Sequence, residues 1–117
     1  MNEIVNRYLD TWNATGASAR ENLLTQHWSE DCVYVDPLAD VQGREAVGAV
    51  VQAVHAQFPG FVFSLLGDVD AHHQQLRFRW GLGAADEEPV VIGFDVVVLD
   101  GQQRIREVRG FLDKVPG

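Results

Sequence analysis

The sequence predicts an α+β domain in which three helices cover one face of a mostly antiparallel sheet. Two observations carry this prediction. Up to residue 60 the apolar residues recur at helical spacing, apart from one short extended stretch, and after residue 60 they alternate with period two. No internal repeat, linker or low-complexity tract interrupts the 117 residues, so we expect one domain over residues 1–117.

The first two helices are predicted over residues 2–14 and from residue 18 to residue 28. The first carries one apolar stripe and ends at the stop signal Thr15-Gly16; the stripe is Val5, Tyr8, Leu9 and Trp12. Ser18 and Glu21 have the spacing of a capping box for the second helix, and its apolar side is formed by Leu23, Leu24, His27 and Trp28.

A short strand over residues 32–36 follows and is expected to end at Pro37, because proline removes a backbone donor and restricts the residue before it. A loop leads from there to Gly43. The third helix is predicted over residues 44–58, where a buried stripe runs until Pro59-Gly60 breaks it; the stripe is Val47, Val50, Val51, Val54 and Phe58.

The second half of the chain predicts four strands joined by three turns. Each strand alternates apolar and polar residues, and polar or glycine-containing segments separate them. The strands are residues 61–69, 74–82, 90–99 and 104–113.

Asp95 is the single charge in the strand over residues 90–99, which is otherwise apolar or glycine and rich in β-branched residues. Aspartate is depleted in strands, and a buried carboxylate without a partner is costly. Either a structural partner satisfies Asp95, or a pocket keeps a perturbed carboxyl for chemistry or binding.

Centring the hairpins on their turns pairs Asp95 with Phe78 on one side and with Val108 on the other. The same register pairs Gly93 with Trp80 and with Gly110, and it predicts a hollow beside Asp95. Asp95 is then the only charge among the paired positions of an almost wholly apolar face. The strand arginines face the other way, unless a one-residue slip exchanges the two faces.

The opposite face of the sheet mixes aromatic and β-branched residues with charges, which is typical of a subunit interface with a polar rim. We therefore predict a homodimer through the face that bears Arg79, Phe94, Val96 and Arg109. The alternative is a solvent-exposed face on which long side chains lie over apolar neighbours.

Composition narrows the classes of partner. The net charge of −8, with basic residues scattered singly, argues against nucleic acid. No apolar stretch has the length of a secretory signal or a membrane span, so we expect a cytoplasmic protein without a membrane partner.

Cys32 is the only cysteine and is interpreted as a small core residue; no ligand-like spacing predicts a metal. No nucleotide fingerprint predicts a cofactor either.

Four segments of the chain are similar to one protein family. They are Arg7-Tyr8-Leu9, Val35-Asp36-Pro37, Gly43-Arg44-Glu45, and Phe94-Asp95-Val96 nine residues ahead of Arg104-Ile105. Together they resemble the SnoaL-like and ketosteroid isomerase branch of the nuclear transport factor 2-like superfamily, over nearly the whole chain. Leu112 departs from that pattern, because the resemblance leads us to expect an aromatic residue there.

The resemblance implies a cone-shaped pocket between the helices and a curved sheet, in which a carboxylate moves a proton next to a carbonyl. Asp36 would be the general base, and Tyr8 with a neutral Asp95 would donate hydrogen bonds to the developing oxyanion of a small apolar carbonyl compound, without a cofactor. The residues expected around that ligand are Trp12, His55, Phe78, Trp80, Gly93, Val108, Gly110 and Leu112.

Each of these residues also has a structural explanation. Asp36 can cap a nearby amide at the end of its strand, and Tyr8 can be a core aromatic with one hydrogen-bond partner. Asp95 can be satisfied by Tyr8 or by His55. For the whole protein, the alternatives to an enzyme are a dimeric binding module without turnover and an interaction protein whose pocket is filled by side chains.

Overall fold

The computed structural model describes residues 2–116. Three helices and six strands follow one another in the order α1 (Asn2–Asn13), α2 (Ala17–His27), β1 (Trp28–Asp36), β2 (Ala39–Gln42), α3 (Arg44–Gln57), β3 (Val62–His72), β4 (Gln75–Gly83), β5 (Val91–Leu99) and β6 (Ile105–Lys114). Within this range, no helix combines the length and the apolar run needed to cross a bilayer.

All six strands form one sheet in the order β2-β1-β6-β5-β4-β3. The β1 strand runs parallel to β6, and the other neighbours are antiparallel. The three helices pack on this sheet, which confirms the α+β prediction. Between them lies the apolar core, whose fully buried members include Val5, Val47, Val51, Val97 and Val108.

Two local predictions in the first half of the chain are wrong. Trp28 begins β1 instead of ending the second helix, because contacts from other elements hold it in the core: its indole donates to Thr11 Oγ1 at 3.1 Å, and its carbonyl accepts from Arg44 Nε at 3.0 Å. The capping box does not form, because α2 already begins at Ala17 and its N-cap is Gly16, without a side-chain cap bond.

The segment after Pro37, predicted as a loop, contains the edge strand β2. It folds back on β1 so that Asp36 pairs with Ala39. Asp36 Oδ1 stabilises this tight turn by accepting from the backbone N–H groups of Leu38 and Ala39, each at 2.8 Å. The four residues of β2 do alternate apolar and polar, but so short a run between Pro37 and Gly43 is equally compatible with the loop that was predicted.

The predicted register is confirmed between β4 and β5, where Phe78 pairs with Asp95. Between β5 and β6 it is displaced by two residues, so that Asp95 pairs with Gly110 instead of Val108. Next to the turn, Leu99 pairs with Ile105 and Val98 pairs with Glu107, which leaves one extra residue bulged out of β6. A displacement of two preserves the face on which a side chain lies. Asp95 therefore faces the apolar core, as predicted.

Candidate functional site

A cavity of about 230 Å³ lies between the helices and the inner face of the sheet. Its walls come from α1, α3 and five of the six strands, together with the β1–β2 turn and the segment after β6. The aromatic part of the wall consists of Tyr8, Trp12, Tyr34, Phe58, Phe63 and Trp80. The remaining lining residues are Asp36, Leu38, Val54, Gln57, Leu82, Val91, Leu112, Val115 and Pro116.

Asp95 lies behind two of these wall residues and does not itself line the cavity. Its side chain is 2% exposed. The Tyr8 hydroxyl donates to Asp95 Oδ2 at 2.6 Å, and the Trp80 indole N–H donates to the same oxygen at 3.0 Å. Of the two structural partners considered for this carboxyl, Tyr8 is thus confirmed, while His55 bonds elsewhere.

The pKa of Asp95 is raised from 3.8 to about 7. Burial is the main cause, because it disfavours the charged form, and the negative charge of Asp36 acts in the same direction. The bonds from Tyr8 and Trp80 oppose the shift, because they stabilise the carboxylate. Asp95 therefore changes charge near neutral pH, and the direction of its shift is the one the sequence predicted.

Burial raises the pKa of Tyr8 well above its ordinary value, and the charge of Asp95 adds to this. The Tyr8 hydroxyl thus remains a proton donor at neutral pH. When Asp95 is ionised, it accepts the hydrogen bond of the Tyr8 hydroxyl, so that this O–H is not available to a group in the cavity. When Asp95 is protonated, it can itself donate to the Tyr8 oxygen, which leaves the Tyr8 O–H for a group in the cavity.

Two glycines allow the residues around Asp95 to come this close. A Cβ atom at Gly93 would lie 2.7 Å from Trp80 Nε1 and closer still to two ring carbons. A Cβ atom at Gly110 would lie 2.5 Å from Asp95 Oδ1 and 3.4 Å from Asp36 Cβ. The hollow predicted beside Asp95 is therefore filled, because the Trp80 ring and the Asp95 carboxyl occupy the space that these glycines leave free.

Asp36 belongs to the wall of the cavity and is held by three hydrogen bonds. Its Oδ1 accepts the two backbone bonds of the β1–β2 turn, and its Oδ2 accepts from the Tyr34 hydroxyl at 2.6 Å. The turn-capping role weighed for Asp36 is thus observed together with a place in the cavity wall. Burial, reinforced by the charges of Asp95 and Asp36, raises the pKa of Tyr34 well above its ordinary value.

Trp12 is fixed in the cavity wall by bonds at the end of α1. Its carbonyl oxygen lies 2.6 Å from His55 Nε2, and it accepts when that nitrogen carries the proton. The next residue, Asn13, exchanges two bonds with the backbone of Phe63, one of 2.7 Å and one of 3.0 Å. The Trp12 indole N–H is buried and has no hydrogen-bond partner within residues 2–116.

Three of the eight predicted lining residues, Trp12, Trp80 and Leu112, lie in the wall. The other five do not line the cavity. His55 is turned to the Trp12 carbonyl, and the two glycines lie beneath Trp80 and Asp95. Phe78 and Val108 are almost completely buried in the core.

Tyr34 is the most informative wall residue that the sequence analysis missed. It lies two residues before Asp36 on β1, and the period of two places both side chains on one face. That spacing was available in the sequence. Val54 and Phe58 lie on the predicted apolar stripe of the third helix, but that stripe does not distinguish a cavity wall from the core. The lining residues at the end of the chain had no local signal, because the fold brings them to the cavity from a distant position.

Within residues 2–116, no three histidine, cysteine, aspartate or glutamate side chains are grouped closely enough to hold a metal ion. The site consists of an apolar, aromatic cavity whose wall includes the Asp36 carboxyl and the Tyr8 and Tyr34 side chains, with the Asp95 carboxyl directly behind Tyr8. This arrangement can bind an apolar molecule and can donate or accept a proton at these side chains.

Comparisons with known proteins agree with this fold. The SnoaL-like domain model matches residues 5–108. A proposed isomerase of the SnoaL-like family from Agrobacterium tumefaciens is 39% identical, with a TM-score of 0.90 over 96% of either chain. No curated protein is significantly similar to the chain.

Two more distant structures share the fold alone. A proposed ketosteroid isomerase from Kribbella flavida is 17% identical, with a TM-score of 0.71 over 98% of this chain and 78% of its own. A proposed polyketide cyclase from Sinorhizobium meliloti is 18% identical, with a TM-score of 0.72 over 97% of this chain and 95% of its own.

Proposed function

The chain belongs to the SnoaL-like domain family, and from that membership we propose that it is an isomerase-type or cyclase-type enzyme that moves a proton next to the carbonyl group of a small apolar molecule. In this proposal Asp36 removes the proton and Tyr8 donates a hydrogen bond to the carbonyl oxygen. The observation that carries it is that Tyr8 and Asp36 line the same apolar cavity.

Asp36 retains the capacity to act as a base although it is held by three bonds. An ionised carboxylate offers about four lone-pair positions. Two positions on Oδ1 are used by the turn and one on Oδ2 is used by Tyr34. The remaining lone pair belongs to Oδ2, so this is the atom that we expect to take the proton.

Asp95 acts in this proposal through Tyr8 and does not touch the substrate. A protonated Asp95 donates to the Tyr8 oxygen, and the Tyr8 proton is then available to the carbonyl oxygen as negative charge develops there. One preorganised donor of this kind typically lowers the barrier by about 3 kcal/mol. The relative from Agrobacterium tumefaciens, whose name includes isomerase, supports the same class of reaction.

Exchange of the hydrogen atoms next to the carbonyl in deuterated water tests proton removal directly, whatever the final product. We expect the protein to accelerate this exchange for small cyclic ketones, and Asp36→Asn to lower the maximal rate by about 10²-fold or more with little change in KM. NMR spectroscopy of the ketone measures the rate. Asp40→Asn, which removes a neighbouring charge outside the cavity wall, serves as the control and should keep the wild-type rate.

A binding module without turnover is the second candidate, and one observation favours it. The carboxyls of Asp36 and Asp95 both have protein partners, so neither needs a reaction to explain its presence. If small ketones bind equally well to the wild type and to Asp36→Asn while neither accelerates exchange, the binding module is correct and the enzyme is not.

We also propose that the outer face of the sheet forms a homodimer. Phe111 is 60% exposed there, and its ring centroid lies 6.5 Å from that of Phe94. Around these rings, Arg79 pairs with Asp113 and Arg109 pairs with Glu107. An exposed aromatic centre with a charged rim is the pattern of a subunit interface.

Phe111→Arg is expected to convert this dimer into a monomer, because it would place two like charges at the centre of a symmetric contact. Sedimentation equilibrium measures the mass of both proteins. Leu38→Arg places the same charge on another exposed apolar residue and should leave the mass of the dimer unchanged. A wild type that is monomeric at high concentration would contradict the proposal.

A further inference from the structure

The size of the cavity limits what can occupy it. A dry apolar cavity of about 150 Å³ is filled by one benzene molecule. At 230 Å³, the same ratio gives room for roughly nine non-hydrogen atoms inside the cavity. That is one substituted ring, or most of two fused rings whose edge reaches the open side of the cavity. A four-ring molecule, roughly twice that size, would leave about half of its apolar surface in water.

The aromatic wall favours a flat occupant. Trp12 lies 5.3 Å from Tyr34 and 5.4 Å from Phe63, and Phe63 lies 5.3 Å from Trp80, measured between ring centroids. These four rings form a continuous belt around the cavity. Such rings pack against a further ring at similar distances, each contact being worth about 0.5–1.5 kcal/mol beyond the area buried.

The charges around the cavity exclude anions. No lysine or arginine is among the lining residues within residues 2–116, while Asp36 lies in the wall and Asp95 lies directly behind it. An organic anion would lose its hydration without gaining a cationic partner, and it would approach two carboxyls. An organic cation is attracted by the Asp36 charge and by the aromatic faces, but it must give up its hydration to enter, and a quaternary ammonium ion brings no hydrogen-bond acceptor.

A buried donor indicates that the occupant carries an acceptor. The Trp12 indole N–H is 1 of 2 buried side-chain polar groups without a partner in the described range. It lies near the Tyr8 hydroxyl, where it opposes the rise that burial causes in the Tyr8 pKa. A buried donor without a partner costs about 1–3 kcal/mol, and an oxygen that enters beside Tyr8 could remove this cost.

We propose that the occupant of this cavity is a flat, uncharged compound of one or two rings with one hydrogen-bond-accepting oxygen at Tyr8, and that four-ring compounds and organic ions bind much more weakly. The proposal rests on the proposed function in one respect only, that this cavity is where the protein meets its ligand. It names the class of ligand whether or not the ligand is converted.

Four probes separate the possible classes of ligand: 1-tetralone, a four-ring steroid enone, 1-naphthoate and benzyltrimethylammonium. Binding is followed by the indole N–H signals in NMR spectra of the ¹⁵N-labelled protein, because Trp12 and Trp80 line the cavity whereas Trp28 does not. We expect 1-tetralone to shift the Trp12 and Trp80 signals and to bind at least ten-fold more tightly than each other probe.

Phe58 and Phe61 provide a matched pair of variants. Their rings stack with centroids 5.5 Å apart, but only Phe58 lines the cavity. Phe58→Ala should weaken 1-tetralone by about ten-fold and reduce the discrimination against the four-ring enone, whereas Phe61→Ala should change the affinity by less than three-fold. Both rings are partly exposed, so that folding should survive either change.

Tighter binding of the steroid enone, of 1-naphthoate or of the ammonium probe would overturn the inference, and so would the absence of any shift with 1-tetralone at millimolar concentration. These results differ from a failure of the proposed enzyme. Binding of 1-tetralone without hydrogen exchange would contradict the proposed enzymatic activity and would still support the inferred class of ligand.

Discussion

Asp95→Asn is expected to gain about 2.5 kcal/mol of unfolding free energy relative to the wild type when the pH is raised from 5 to 8. The pKa of Asp95 rises from 3.8 to about 7 on folding, chiefly through burial. Between these two values the folded state binds more protons than the unfolded state, so the contribution of Asp95 to stability falls as the pH rises through this range. Asparagine does not titrate and removes this dependence.

The variant has a cost of its own that does not depend on pH. Its amide oxygen can accept the bonds from Tyr8 and Trp80, but its NH₂ group would replace Asp95 Oδ1, which faces Gly110. A buried NH₂ group without an acceptor costs about 1–3 kcal/mol. We therefore expect the wild type to be the more stable protein at pH 5 and the two stabilities to converge or cross by pH 8.

Urea unfolding at pH 5, 6, 7 and 8 measures this difference. Asp100→Asn is the control. Burial is the largest single influence and raises the pKa of Asp100, but the bonds from the backbone N–H groups of Arg104 and Gln102 and from the Arg104 side chain together outweigh it, so the net shift is downward. This carboxyl is thus ionised in the folded and the unfolded state from pH 5 to pH 8. The unfolding free energy of Asp100→Asn should therefore change with pH in parallel with that of the wild type. A parallel curve for Asp95→Asn would show that Asp95 does not titrate near neutral pH.

Gly93→Ala is expected to destabilise the fold by about 3–5 kcal/mol. The new methyl group would overlap the Trp80 indole, so that this ring would have to move away from β5 toward the cavity. Overpacking typically costs about 1–3 kcal/mol. Displacing the indole also removes its bond to Asp95 Oδ2, and a bond to a charged group contributes about 1.5–3 kcal/mol.

Denaturant unfolding of Gly93→Ala and of Gly101→Ala compares a crowded glycine with an open one. No atom lies within 4 Å of the position that a Cβ atom at Gly101 would occupy, so that change should stay within about 0.5 kcal/mol. In a Trp80→Leu background the cost of Gly93→Ala should fall below about 1 kcal/mol, because the overlapping ring is absent. An equal cost in both backgrounds would show that Gly93 is required for another reason.

The variants at Asp95 and Gly93 both test the group of residues around the buried carboxyl. Gly93 allows Trp80 to reach Asp95, and Trp80 together with Tyr8 supplies the bonds that oppose the effect of burial on the Asp95 pKa. A change in any of these residues should therefore alter the pH at which Asp95 loses its proton. In the proposed mechanism, that pH also decides whether the Tyr8 proton is available to a ligand.

Local sequence patterns were sufficient to predict the α+β class, the three helices, the four strands after residue 60 and the face on which Asp95 lies. These properties depend on the period of the apolar residues, which is 3.6 in a helix and two in a strand. Asp95 lies on the predicted face although the β5–β6 register differs from the prediction, because the difference is an even number of residues.

The structure alone decided which atoms surround Asp95. Tyr8 and Asp95 are 87 residues apart, and Trp80 reaches the same oxygen from the neighbouring strand. The sequence analysis treated Gly93 and Gly110 as empty space, whereas the Trp80 ring and the Asp95 carboxyl fill it. A pattern records that side-chain volume is missing at a glycine, but it does not record which distant side chain occupies that volume.

The sequence by itself therefore determined that Asp95 is a buried carboxyl on the helix-covered face of the sheet. The tertiary structure decided that this carboxyl stands behind Tyr8 and Trp80, and that Tyr8 and Asp36 line the cavity in its place. The physical reason is one of range. Periodicity and strand pairing act between neighbours, whereas burial, hydrogen bonding and packing around a cavity depend on residues that only the folded chain brings together.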